Sequence, residues 1–211
     1  LQGDWSSDVC SSDLVADDAF SFIVAWELMS LASWFLVLST HREKATAHAA
    51  YVYIVMASFG TFSLFLAFGL MAGTEGHYSF AAMRAQELSP LLANGVLLLT
   101  MLGAGAKAGI FPLHIWLPLA HPAAPSHVSA LMSGVMTKVA IYGVIRILFD
   151  LVGTPADWWG GVVMVIGGVT ALMGVLYALM QHDLKCLLAC HTVENIGIIF
   201  IGLGLALGFQ A

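Results

Sequence analysis

Three ionisable residues stand inside long apolar runs: Glu27 in Trp26-Glu27-Leu28-Met29, Lys107 in Gly103-Ala104-Gly105-Ala106-Lys107-Ala108-Gly109, and Lys138 in Gly134-Val135-Met136-Thr137-Lys138-Val139-Ala140. A carboxylate at the middle of an apolar helix costs at least about 2.5 kcal/mol unless it faces water or a partner. Glu27 therefore wants a cation. The small residues around Lys107 let another backbone or water approach it but cannot shield it. Burial and a nearby carboxylate act in opposite senses on a lysine's proton affinity, so a Glu27/Lys107 pair would hold a proton whose affinity changes when the pair opens. Lys138, with Thr137 and Tyr142 as candidate neighbours, would extend this into a hydrated polar axis along which protons hop. The competing readings are a structural, hydrogen-bonded acid for Glu27 and a snorkelling side chain for Lys107.

Other ionisable residues give weaker signals. His191 and Glu194 are three apart and share a helical face, where they could continue the axis or act only as a packed histidine and an interfacial acid. His114 and His127 flank a proline-rich stretch and are further relay candidates. Arg146 and Asp150, four apart, read as an interfacial salt bridge. His41, His48 and His77 fall in loops and carry no specific expectation. A haem held between His114 and His127 would need one helix carrying both, and Pro118, Pro122 and Pro125 break it. Cys10, Cys186 and Cys190 lack metal-site spacing and read as small hydrophobes. Neither a metal nor a cofactor is expected.

The elements that must position these groups are membrane spans. Of 211 residues, 60% are hydrophobic and only 9% charged, and the mean hydropathy is +0.90, which makes a water-soluble fold improbable. The net charge of -6, with no basic patch, leaves no footprint for nucleic acid. Crossing hydrocarbon takes roughly 20 apolar residues per helix, and apolar runs cover about 17–39, 49–71, 90–110, 128–149, 158–180 and 184–209. The expectation is an all-α polytopic bundle of about six transmembrane helices, one of them broken. The break lies where Pro112, Pro118, Pro122 and Pro125 crowd together, so no continuous helix should cross that stretch. Irregular backbone at membrane depth survives only where protein or trapped water satisfies it, which points to a transport path. Arg42 and Lys44 in the first loop place that loop in the cytoplasm and the loop at 73–89 outside.

The first residues read differently. Gly3 to Leu14 is polar, low in complexity and neither signal peptide nor span. It resembles the translation of a sequencing-library adapter, so residues 1–14 are expected to be a non-native leader, carrying Asp4, Asp8, Asp13 and Cys10, and 15–211 a partial transmembrane domain. The chain reads as a fragment of a longer protein.

Ala25-Trp26-Glu27-Leu28-Met29-Ser30, the stretch from Gly103 to Ile147 and the stretch from Leu176 to Ile199 together resemble the proton-conducting, antiporter-like membrane subunits. These serve respiratory complex I, Mrp-type cation/proton antiporters and hydrogenase-linked complexes. The likeness is nearest to the last branch, that of hydrogenase 4 and formate hydrogenlyase, and covers nearly everything after Leu14. It implies an inverted-repeat fold of which this chain would hold the fifth to tenth helices. Glu27 falls on the family's fifth-helix glutamate, Lys107 on the lysine of its broken seventh helix, and Lys138 on the polar residue of its eighth. The family's late lysine would lie beyond Ala211. Cys186 and Cys190 stand where a basic and an aromatic residue would be expected. The function so implied is proton or cation translocation by a subunit without its own redox centre, coupled to electron transfer in partner subunits of a prokaryotic cytoplasmic membrane complex. The rivals are a Mrp-type Na+/H+ antiporter subunit, a quinone- or haem-binding redox subunit, and an inert scaffold.

Overall fold

The computed structural model describes residues 12, 14–38, 44–73 and 76–210. Asp4, Asp8, Cys10 and Asp13 of the expected leader lie outside the described residues, as do His41 and Arg42 of the basic loop that sets the expected orientation. The described helices are α1 (Ala19–Leu38), α2 (Lys44–Ala72), α3 (Phe80–Ala85), α4 (Pro90–Ala108), α5 (Trp116–Ala123), α6 (Ser126–Leu151), α7 (Asp157–Leu179) and α8 (Leu184–Gln210). Six segments are long and apolar enough to cross a membrane: α1, Thr46–Ala72 of α2, Pro90–Ala123 joining α4 to α5, α6, α7 and α8. Large apolar side chains such as Phe35, Leu98, Val165 and Leu172 are exposed on their outer faces, the arrangement lipid favours.

Three expectations change in detail. His48 belongs to α2 and not to a loop, because that helix starts at Lys44. The loop after α2 contains α3, capped by the Ser79 hydroxyl, which accepts from the Ala82 N–H. The proline-rich stretch is mostly helical, since α5 runs from Trp116 through Pro118 and Pro122.

The actual interruption is short. α4 ends on Gly109, whose left-handed φ of 84° suits a residue without Cβ. A cis Phe111–Pro112 peptide and a single 3-10 turn, Leu113–Ile115, follow before α5 begins. Pro118 lies in the first turn of α5, where no intrahelical donor is needed. Pro122 does remove a donor, the one that would serve the Pro118 carbonyl; the Cys186 thiol donates to that carbonyl at 3.8 Å. Other freed groups are also satisfied by side chains. The Trp116 indole donates to the Ala106 carbonyl at 2.7 Å, the Phe111 N–H to Thr170 Oγ1 at 3.1 Å, and Lys185 Nζ to the Ala124 carbonyl at 2.9 Å. Buried irregular backbone is stable only with such partners.

α7 and α8 pack along a seam of glycines. A Cβ on Gly160 would lie 2.6 Å from the Gly204 carbonyl oxygen, one on Gly167 2.7 Å from Ile201 N, and one on Gly174 2.6 Å from Glu194 N. The spacing of seven puts these glycines on one stripe, and backbones meet there as they do at small-residue interfaces in membranes. α4 approaches α2 in the same way at Gly103, where a Cβ would lie 2.8 Å from the Gly60 carbonyl oxygen.

Candidate functional site

The α4–α2 contact carries Lys107 across to the middle of α1. Its side chain is 2% exposed. The ammonium donates to the Trp26 carbonyl at 2.7 Å and to Ser30 Oγ at 2.8 Å, and lies 4.2 Å from the centroid of the Trp26 ring. Trp26 and Ser30 sit well inside the Ala19–Leu38 helix, so Lys107 lies at mid-span although it belongs to the last turn of α4.

Glu27 is the residue between these contacts in sequence and is half-buried. Its carboxylate accepts a hydrogen bond from Thr61 Oγ1 of α2 at 2.5 Å. The structure thus brings Glu27 and Lys107 to the same turn of α1, each with its own partner: a threonine for the acid, a carbonyl, a hydroxyl and an aromatic face for the base. Ser30 and Thr61 were not singled out by sequence, because serine and threonine are common in membrane helices and only the packing shows which ones meet a charge. One turn further along α1, Ser33 Oγ lies 2.6 Å from Tyr53 Oη, so polar contacts continue from Ser30 toward the far end of the helix.

Lys138 follows a π-helical turn, Met132–Met136. Such a turn alters the backbone pairing locally, and the Ser133 carbonyl accepts both from Thr137 Oγ1 at 3.0 Å and from Lys138 Nζ at 2.7 Å. Lys138 is exposed on the outer surface of the described chain. Thr137 is a neighbour as expected, whereas the Tyr142 hydroxyl turns away and donates to the Leu14 carbonyl at 3.3 Å. Ser133 is also linked to α8, its hydroxyl lying 2.8 Å from Thr192 Oγ1.

Beside that link a cavity of about 480 Å³ opens between α5, α6 and α8, lined by His121, Ser129, Ser133, Lys185, His191 and Thr192 among others. His121 is 2% exposed, with Nδ1 2.6 Å from Ser129 Oγ. Nothing in the sequence distinguished His121 from the other histidines; the polar groups that face it come from other elements. His191 Nδ1 lies 2.7 Å from Glu194 Oε2, so these two meet as their spacing predicts, on the cavity side of α8. His114 is buried against Phe111 and Tyr177, with ring centroids 5.5 and 5.6 Å away, at the helix break. His127 is exposed at the start of α6.

At the opposite end, Arg146 meets Asp150 at 3.2 Å as expected, and Asp150 also takes both arms of Arg84, each at 2.7 Å. That hydrogen bond and the Asp150 charge hold the Arg84 guanidinium above its ordinary value. Asp18 caps α1, accepting from the Ser21 hydroxyl at 2.7 Å and N–H at 2.8 Å, and these bonds hold its carboxyl below the usual range. Among the described residues, no group of three or more His, Cys, Asp and Glu is placed to hold a metal ion.

Comparison with known proteins follows the same outline. Residues 16–211 match the family described as NADH:quinone oxidoreductase/Mrp antiporter, TM. The chain is 52% identical to hydrogenase-4 component B of Escherichia coli (strain K12) over 197 residues, covering 92% of this chain and 29% of that protein. It is 36% identical to formate hydrogenlyase subunit 3 of the same organism, covering 93% of this chain and 31% of that one. It therefore spans about three tenths of the length of these relatives. Among solved structures, a chain of the Mrp complex from Dietzia sp. DQ12-45-1b superposes with a TM-score of 0.83 at 27% identity, over 92% of this chain and 21% of that chain.

Proposed function

This chain belongs to the NADH:quinone oxidoreductase/Mrp antiporter transmembrane family, and on that premise we propose that it carries part of a proton path in a membrane subunit without a redox centre of its own. Oxidoreduction in neighbouring subunits of a prokaryotic cytoplasmic membrane complex would drive it. Glu27, Lys107 and Lys138 pass protons through chains of water, and charge repulsion between successive sites couples one transfer to the next. His191, Glu194, His114 and His127 are accessory relay groups. The cavity lined by His121 and His191 supports water reaching the path from the α5–α8 side.

The observation that carries this reading is the burial of the Lys107 ammonium at mid-span, on the turn of α1 that bears Glu27 and beside the helix break. An isolated charge at such depth is costly and in membrane helices marks ion pathways. Lys107→Ala in the full-length subunit should reduce proton translocation into vesicles by about a hundredfold or more while leaving complex assembly intact. Unchanged translocation would remove Lys107 from the path.

The likeness to a Mrp complex favours a second reading, an Na+/H+ antiporter subunit. Sodium stimulation of pH-gradient dissipation in vesicles supports that reading, and indifference to sodium supports the first.

A further inference from the structure

We propose that Trp26 and Ser30 form a neutral seat for the ammonium of Lys107, competing with Glu27 for it, and that Trp26 is accordingly a positioning residue of the proton path. The inference rests on the relay reading above and adds a residue to it. An ammonium has three donors and no acceptor. One donor goes to the Trp26 carbonyl at 2.7 Å and one to Ser30 Oγ at 2.8 Å. The indole ring covers the same cation with its centroid 4.2 Å away, well inside the roughly 6 Å over which a ring face attracts a cation, and tryptophan is the strongest side chain for this.

The seat is built and dry. Ser30 Oγ donates its own proton to the Trp26 carbonyl at 3.0 Å, which leaves its lone pairs for Lys107. Trp26 and Ser30 are fully buried. The ring is held by Phe22, at 5.5 Å between centroids, and by Gly143 of α6, where a Cβ would already lie 3.3 Å from Trp26 Cζ3. Exclusion of water strengthens both the hydrogen bonds and the attraction of the ring.

The arrangement has a consequence for charge. Glu27 follows Trp26 directly, about 100° further round α1, and its carboxylate is held by Thr61. Lys107 paired with Glu27 would present almost no net charge to the rest of the path. Lys107 in the seat keeps its positive charge, because carbonyl, hydroxyl and ring are all neutral. A charge that remains uncancelled acts over distance on the next cation, here Lys138. Moving the ammonium between seat and carboxylate therefore switches its field on and off with little displacement.

The test replaces Trp26 in the intact subunit, within its assembled complex, by tryptophans carrying one to four ring fluorines. These scarcely change shape but progressively weaken the negative face of the ring. Proton translocation in vesicles should fall with each fluorine, by about tenfold over the series, with assembly unchanged. Trp26→Phe should retain part of the activity and Trp26→Leu none of that part. A flat fluorine series, or a rise along it, overturns the seat. Lys107→Ala, measured alongside, separates the two levels: if it abolishes translocation while the fluorine series is flat, the seat alone fails, and if it leaves translocation intact, the relay reading fails and the seat with it.

Discussion

Charges in this protein are handled in two different ways, according to depth. Near the water, Asp18 works as a helix cap: its carboxylate takes the hydroxyl and N–H of Ser21, and both bonds favour the ionised form. Because the folded-state affinity for a proton is lowered, this contribution to stability is complete above the ordinary carboxylate range and is lost as pH falls through the lowered value. Asp18→Ala should cost about 1 kcal/mol at neutral pH, the usual worth of such a cap. Thermal unfolding in detergent across an acid series should show the gap between wild type and variant closing as the solution becomes strongly acidic. A gap independent of pH would mean that the cap acts through something other than its charge. At mid-span, Lys107 has no water to lean on and is met by a carbonyl, a hydroxyl and a ring.

Helices here are positioned by what they lack as much as by what they carry. The α7–α8 seam depends on Gly160, Gly167 and Gly174 facing Gly197 and Gly204, with no room for a Cβ. Gly167→Leu must push the helices apart, since its neighbours at 2.7–2.9 Å are backbone atoms that cannot rotate away. The expected cost is about 3 kcal/mol or more, at the upper end of overpacking, with a lower unfolding temperature in detergent. Gly168→Leu, where a Cβ meets nothing within 4 Å, should be tolerated; equal effects at the two positions would contradict the seam. The break between α4 and α5 follows a related logic: Cys186, Lys185, Trp116 and Thr170 supply the donors that its backbone needs. This gives Cys186 a structural reason for its place opposite Pro118, beyond that of a small hydrophobe.

Across the whole molecule, the segment between α2 and α4 is fastened to two other elements at once. It pairs with the start of α1, where the Ala19 N–H donates to the Tyr78 carbonyl at 2.9 Å and the Phe80 N–H to the Asp17 carbonyl at 3.1 Å. Arg84 then fixes α3 to the end of α6 through Asp150. Both side chains are about one-third exposed, at 38% and 34%, so the pair is screened and should contribute no more than about 1 kcal/mol. Its larger effect is on local order. Arg84→Ala should raise hydrogen exchange in residues 80–85 while leaving the spans unaffected, and the difference should shrink in high salt. Unchanged exchange would show that the α1 contact alone holds the segment.

The sequence by itself determined whatever depends on one run of residues. Length and apolarity mark the six spans, Gly109 and Pro112 locate the break, and the spacings of His191 with Glu194 and of Arg146 with Asp150 place each pair on one helical face. The tertiary structure decided what each span faces. Glu27, Lys107 and Lys138 were recognisable as chemistry because a charge inside an apolar run is conspicuous, but their partners Thr61, Trp26, Ser30 and the Ser133 carbonyl were not, nor was the outward exposure of Lys138 or the histidine-lined cavity. The reason is physical: a membrane helix is apolar all round and has no polar stripe to reveal its rotation, so its facing residues are fixed only when neighbouring helices dock. Even the extent of helix through Pro118 and Pro122 depended on side chains of α8, distant in sequence, arriving to satisfy the backbone.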